Sequence, residues 1–144
     1  MATGPSHDSM QVQGIVETCI NVSAMAPART FYESVFNLEA MIGDDRFCAF
    51  RVGKDVLLLF VRGGSDQPVS LPGGTIPPHD TIGAGHFAFA ISADALSDWR
   101  ARLRRLGIPI ESEVRWERGG TSIYFRDPDN NLLELATPGL WANY

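Results

Sequence analysis

The sequence predicts an α+β fold built from two copies of one βαβββ module, and three observations carry that prediction. A β-rich run, ETCINV at 17–22, has a counterpart in HFAFAI at 86–91, 69 residues further on, each led by a side chain able to bind metal. A helical stretch with an apolar stripe follows each run. Three strand-like runs separated by turn residues follow each helix.

The elements follow in chain order. On 16–22, alternation points Val16, Ile20 and Val22 one way and Glu17, Cys19 and Asn21 the other. The helix Ala26 to Asn37 has Pro27 near its start, where a missing N–H costs nothing, and an apolar stripe of Ala28, Phe31, Tyr32, Val35 and Phe36. Strands are expected at 38–43, 46–52 and 56–62, the last two joined through Gly53, Lys54 and Asp55. The Gly-, Pro- and Ser-rich stretch 64–83 reads as a linker loop. On 86–91, Phe87, Phe89 and Ile91 should pack on the helices, leaving His86, Ala88 and Ala90 on the opposite face. A second helix, Ala93 to Leu106, takes Ser92 as N-cap, Leu96, Trp99, Leu103 and Leu106 as its stripe, and Gly107 as its stop. Strands at 108–115, 121–126 and 131–136 complete the second copy, with Asp127, Pro128, Asp129 and Asn130 turning between the last two.

These elements assign module one to 13–63, the linker to 64–83 and module two to 84–138, one domain over 13–138. Residues 1–12 are expected as a disordered tail and 139–144 as a C-terminal tail. The sheets are expected to be curved and antiparallel, with helices on one face and a concave site on the other.

Composition narrows the function. With 144 residues, 44% hydrophobic and 20% charged, the chain is long enough for one core without disulfide support. A net charge of −5 gives no electrostatic reason to bind nucleic acid. No apolar run is long enough to span a bilayer and no signal peptide is visible, so neither a membrane nor export is expected. Cys19 and Cys48 each lie in apolar runs and read as buried free thiols, which points to a reducing cytoplasm.

Three side chains stand out as chemistry. Glu134 lies in the centre of NLLELA, where an unpartnered carboxylate would cost several kcal/mol of desolvation. Its needed partner is an ion pair, with Arg51 as one possibility, a hydrogen-bond donor or a metal. Glu17 and His86 occupy equivalent points of the duplicated module, each beside small or polar neighbours. Two carboxylates and one imidazole suit one divalent ion such as Mn²⁺, Fe²⁺, Co²⁺, Ni²⁺ or Zn²⁺. His79 reads as a surface residue of the linker, and Trp116, Arg118, Tyr124 and Trp141 as pocket or subunit-contact residues.

The runs FYESV at 31–35, GHFAF at 85–89 and YFRDPDNNLLEL at 124–135 resemble those of the vicinal-oxygen-chelate superfamily, which includes glyoxalase I, fosfomycin-resistance transferases, extradiol dioxygenases and bleomycin-resistance proteins. The resemblance covers about 13–138 and implies the glyoxalase-like fold. It maps the family's ligand positions onto Glu17, Leu58, His86 and Glu134, of which Leu58 cannot bind metal. It implies a metal-dependent lyase, isomerase or dioxygenase acting on a small substrate chelated through adjacent oxygens. Glu17 and Glu134 are then the catalytic carboxylates, with Glu17 serving as ligand or base. The alternative is a metal-free, bleomycin-resistance-like protein that sequesters a small, even cationic, ligand. The resemblance further implies a homodimer whose sites take Glu17 from one chain and His86 and Glu134 from the other.

Overall fold

The computed structural model describes residues 14–144, so the expected tail over 1–12 lies outside the described residues. In chain order the elements are β1 (Glu17–Val22), α1 (Met25–Phe36), β2 (Glu39–Gly43), β3 (Phe47–Val52), β4 (Asp55–Val61), β5 (Val69–Leu71), β6 (Gly74–Ile76), β7 (His86–Ala90), α2 (Leu96–Arg105), β8 (Ser112–Arg115), β9 (Thr121–Arg126) and β10 (Leu132–Ala136).

The duplication is plain in the topology. One sheet runs β1-β4-β3-β2 and the other β7-β10-β9-β8. Both are mixed rather than antiparallel throughout, because β1 pairs parallel with β4 and β7 parallel with β10. The helix after each first strand supplies the crossover that a parallel pair needs, whereas the next three strands are joined by turns and alternate in direction.

Three expected elements are adjusted. The linker segment contains a small β5–β6 hairpin, pairing Val69 with Ile76. Ser92 caps a 3-10 turn over Ala93–Ala95, without a side-chain bond, and the α-helix starts at Leu96. The strand predicted from 108 starts at Ser112. Gly107, at φ 71°, and Asn37, at φ 54°, take the left-handed conformation that ends each helix.

The core lies between the helices and the inner faces of both sheets. Ile20, Val22, Phe50, Leu57 and Leu59 from the first sheet meet Ile123, Phe125, Leu133 and Leu135 from the second around Tyr32, Val35 and Leu103. Phe36 touches Phe89, Trp99 and Phe125, with ring centroids 4.6, 6.0 and 6.0 Å away, so α1 packs on module two as well as on its own. Arg102 of α2 donates to the carbonyls of Val35 and Ser34, satisfying the open end of α1. Val16, expected inward, is exposed beside exposed Ile15, just before β1 begins.

The 127–131 turn is a structural hub. The buried Asp127 accepts bonds from the Tyr32 hydroxyl (2.9 Å), the Asn131 side-chain amide (2.9 Å) and the backbone N–H groups of Asp129 and Asn131. Asn131, fully buried, also donates to the Asn21 carbonyl and accepts from the Gly85 N–H, while Asp129 accepts from the Ser23 N–H. This turn ties β1, α1 and β7 together. Burial, followed by the Asp127 charge, pushes the Tyr32 hydroxyl far above its ordinary range, so it stays a donor.

Candidate active site

Glu134 stands on β10, the strand flanked by β7 and β9, and is only 5% exposed. Its carboxylate is held from two sides. The Ser122 hydroxyl donates to Oε2 at 2.5 Å, and Trp116 Nε1 donates to the same hydroxyl at 2.9 Å. Because the indole can only donate, it fixes the Ser122 proton toward Glu134.

His86 faces the other oxygen. Its Nδ1 lies 2.8 Å from the Leu132 carbonyl, a group that can only accept, so Nδ1 carries the proton. In the neutral ring Nε2 is then an acceptor, and it lies 3.3 Å from Glu134 Oε1. Two acceptors at that distance repel unless a proton or a cation lies between them. A backbone carbonyl behind one imidazole nitrogen, with the other nitrogen free, is the arrangement of a metal-ligating histidine. The donor pair thus fits a divalent ion.

These groups open onto a cavity of about 570 Å³ whose walls include Trp116, Tyr124, Trp141 and Tyr144. The Tyr124 ring stacks near His86, with centroids 6.3 Å apart, and its hydroxyl is pushed above its ordinary value by burial and then by the Glu134 charge. The segment 139–144, expected as a tail, folds back on this cavity. The Tyr144 hydroxyl donates to the Ala136 carbonyl at 2.6 Å, and the Gly139 N–H donates to the Tyr144 carbonyl at 2.7 Å.

Glu17 lies elsewhere. It is on β1 of the first sheet, exposed, and lines a second cavity of about 570 Å³ with Cys19, Leu58, Phe60 and His79. Among the described residues no three His, Cys, Asp or Glu side chains converge on one point. The structure therefore brings His86 and Glu134 together and leaves Glu17 apart within one chain. Leu58, the fourth position that the resemblance implies, sits beside Cys19 in the strand register and adds no donor.

Several expectations need correction or addition. Arg51 pairs with Glu39 at 3.4 Å, not with Glu134. Cys48 is buried but Cys19 is exposed; both are free, and burial followed by the Glu17 charge pushes the Cys19 thiol up, making it a poor nucleophile. His79 is exposed as expected, yet its ring meets Phe60 edge-on at 4.6 Å in the cavity wall. Ser122 and its Trp116 partner were missed as supports of Glu134. Period-two alternation along 121–126, which places Ser122 and Tyr124 on the Glu134 face, is the signal that would have found Ser122. No helix among the described residues is long and apolar enough to cross a membrane.

Comparison with known proteins agrees with this architecture. The chain is similar to the metallothiol transferase FosB of Shouchella clausii, with 31% identity over 88% of this chain and 81% of that protein. It is also similar to the fosfomycin resistance protein FosX of Listeria innocua, with 28% identity over 86% of this chain and 89% of that one. Among solved structures, a lactoylglutathione lyase from Agrobacterium tumefaciens superposes with a TM-score of 0.84 at 32% identity, covering 91% of this chain and 98% of that one. The sequence profile described as Glyoxalase/Bleomycin resistance protein/Dioxygenase superfamily matches residues 14–135, and the chain belongs to that superfamily.

Proposed function

We propose that the protein is a divalent-metal-dependent enzyme acting on a small organic substrate, and that its site forms when Glu17 of one copy meets His86 and Glu134 of a second. The observation that carries this reading is the acceptor pair of His86 Nε2 and Glu134 Oε1 at 3.3 Å, with the imidazole proton committed to the Leu132 carbonyl. Relatives named as a metallothiol transferase and a lactoylglutathione lyase support an enzyme. The separation of Glu17 from the other two ligands supports completion by a partner, as do exposed Ile15 and Val16 immediately before it.

A divalent ion in this setting supplies Lewis acidity toward a substrate bound through adjacent oxygens. The residues do the rest. His86 and Glu134 hold one side of the site, and the Ser122 hydroxyl keeps the Glu134 carboxylate in place. Glu17 completes the donor set or, when free, takes a proton from carbon next to a carbonyl, the step a lyase or isomerase needs. Leu58 leaves three ligands instead of four.

The test is metal content by mass spectrometry on protein purified without chelator or affinity nickel. About one transition metal per chain, lost in His86→Ala and in Glu134→Ala, is expected. A metal-free wild type that also refuses added Mn²⁺, Fe²⁺, Ni²⁺ and Zn²⁺ turns the reading to a ligand-sequestering protein. Mixing Glu17→Ala with His86→Ala protomers should restore one intact site per mixed dimer, and failure to regain metal there refutes the shared site.

A further inference from the structure

The Glu17 cavity has two chemically different ends. In the sheet register Glu17 is level with Val56, Cys19 with Leu58, and Val22 with Val61. The Val61 N–H bonds the Arg46 carbonyl, which places Arg46 at the Val22 end. Five residues of strand, at roughly 3.3 Å each, put about 16 Å between that end and Glu17. Between them the floor is apolar, with Leu58, Phe47 and Phe60, and the β5–β6 hairpin adds Val69 and Ile76 to the wall.

The far end carries the exposed side chain of Arg46. Arg46 lines the cavity, and among the described residues its guanidinium makes no salt bridge. Ser65 is 4% exposed in the same wall, and its Oγ is the one buried side-chain oxygen or nitrogen, among the described residues, without a hydrogen-bond partner. That oxygen has essentially no surface open to the cavity, so the Arg46 guanidinium is the polar group a ligand can reach at this end. The wall is built rather than loose: the His79 N–H bonds the Ser65 carbonyl at 2.9 Å, and the Gly63 N–H bonds Asp80 at 3.1 Å.

We propose that this cavity binds an elongated amphiphilic carboxylic acid, its acid group at Arg46, its apolar body over Leu58 and Phe60, and its opposite end at Glu17. The size falls within the range of small-molecule pockets, and an apolar floor with a few convergent polar groups is their usual lining. A guanidinium selects a carboxylate by charge-assisted bonds that a neutral tail cannot offer it. Only the statement that the end at Glu17 is the reacting end rests on the metal-enzyme reading; binding does not.

The experiment is isothermal titration calorimetry on metal-stripped protein with 4-phenylbutyrate and its neutral analogue 4-phenylbutan-1-ol. The acid should bind about tenfold more tightly than the alcohol, in line with a charge-assisted bond. Arg46→Gln should bring the acid down to the level of the alcohol and leave the alcohol unchanged, while Ile76→Trp, which fills the wall, should weaken both. Equal binding of acid and alcohol, no effect of Arg46→Gln, no binding of either, or loss of binding in His86→Ala overturns the inference. A chain that takes up metal but no acid refutes this inference alone, and one that binds acid but no metal refutes the metal reading alone.

Discussion

Replacing Ser122 by alanine probes the support behind Glu134. Ser122 is fully buried, its hydroxyl donates to Glu134 Oε2 at 2.5 Å, and Trp116 orients that hydroxyl from behind. The substitution removes one bond to the carboxylate and leaves the indole N–H without its acceptor. Losing such an outer partner costs about 10–100-fold in metal affinity, which corresponds to about 1.4–2.8 kcal/mol. The side chain loses a single oxygen, so the sheet should stay intact. Competition of Mn²⁺ or Zn²⁺ against a chelator of known affinity measures the loss directly. Trp116→Phe, which keeps the Ser122 bond to Glu134, should lose less affinity than Ser122→Ala. A Ser122→Ala protein that binds metal within about twofold of wild type refutes the idea that the hydroxyl holds the ligand.

Other expectations follow from the same contacts. Tyr32→Phe deletes one of the donors to buried Asp127 without opening a cavity, and a bond to a charged group is worth about 1.5–3 kcal/mol; urea unfolding should give the lower end of that range with an unchanged slope, since three donors remain. Gly120→Ala would place a methyl 2.7 Å from the Gly139 carbonyl carbon, so the C-terminal segment must shift, and Trp141 fluorescence should report it. The Arg126 side chain, through its bond to Glu111, holds the Glu111 carboxyl below its ordinary value of 4.5. A depressed folded value means that the stability is present above 4.5 and is lost as pH falls through the lower folded value. Glu111→Gln should therefore flatten the acid side of a urea-midpoint profile, and an unchanged acid side would contradict the pair's role.

The modules were legible because the pattern they rest on is local. Alternation placed His86, Ala88 and Ala90 on the open face and Leu133 and Leu135 in the core, and the structure agrees. Proline, glycine and asparagine punctuation located both helices to within a few residues. What sequence could not supply is distance across the fold. The run DPDNN at 127–131 reads in sequence as a turn and a family mark, and the structure adds what the turn holds, a carboxylate that receives four donors from α1 and its own turn. The parallel pairing of β1 with β4 was missed because alternation fixes which face a residue takes, not the direction of its neighbour. Likewise the hairpin in 64–83 has short strands with little apolar alternation, and its role as a cavity wall depends on a sheet that it does not contact in sequence.

The bonds made by the 127–131 turn also set an order of events at the ribosome. Asn21 and Ser23 receive their partners from Asn131 and Asp129, 110 and 106 positions later. At roughly 5–20 residues per second, the amino-terminal half waits about 5–20 s for them during synthesis. Through most of that interval Phe36 of α1 lacks Phe125, the module-two ring stacked on it in the finished protein. A substitution at Asn131 should therefore reduce soluble yield in cells more than its effect on the purified protein's stability suggests.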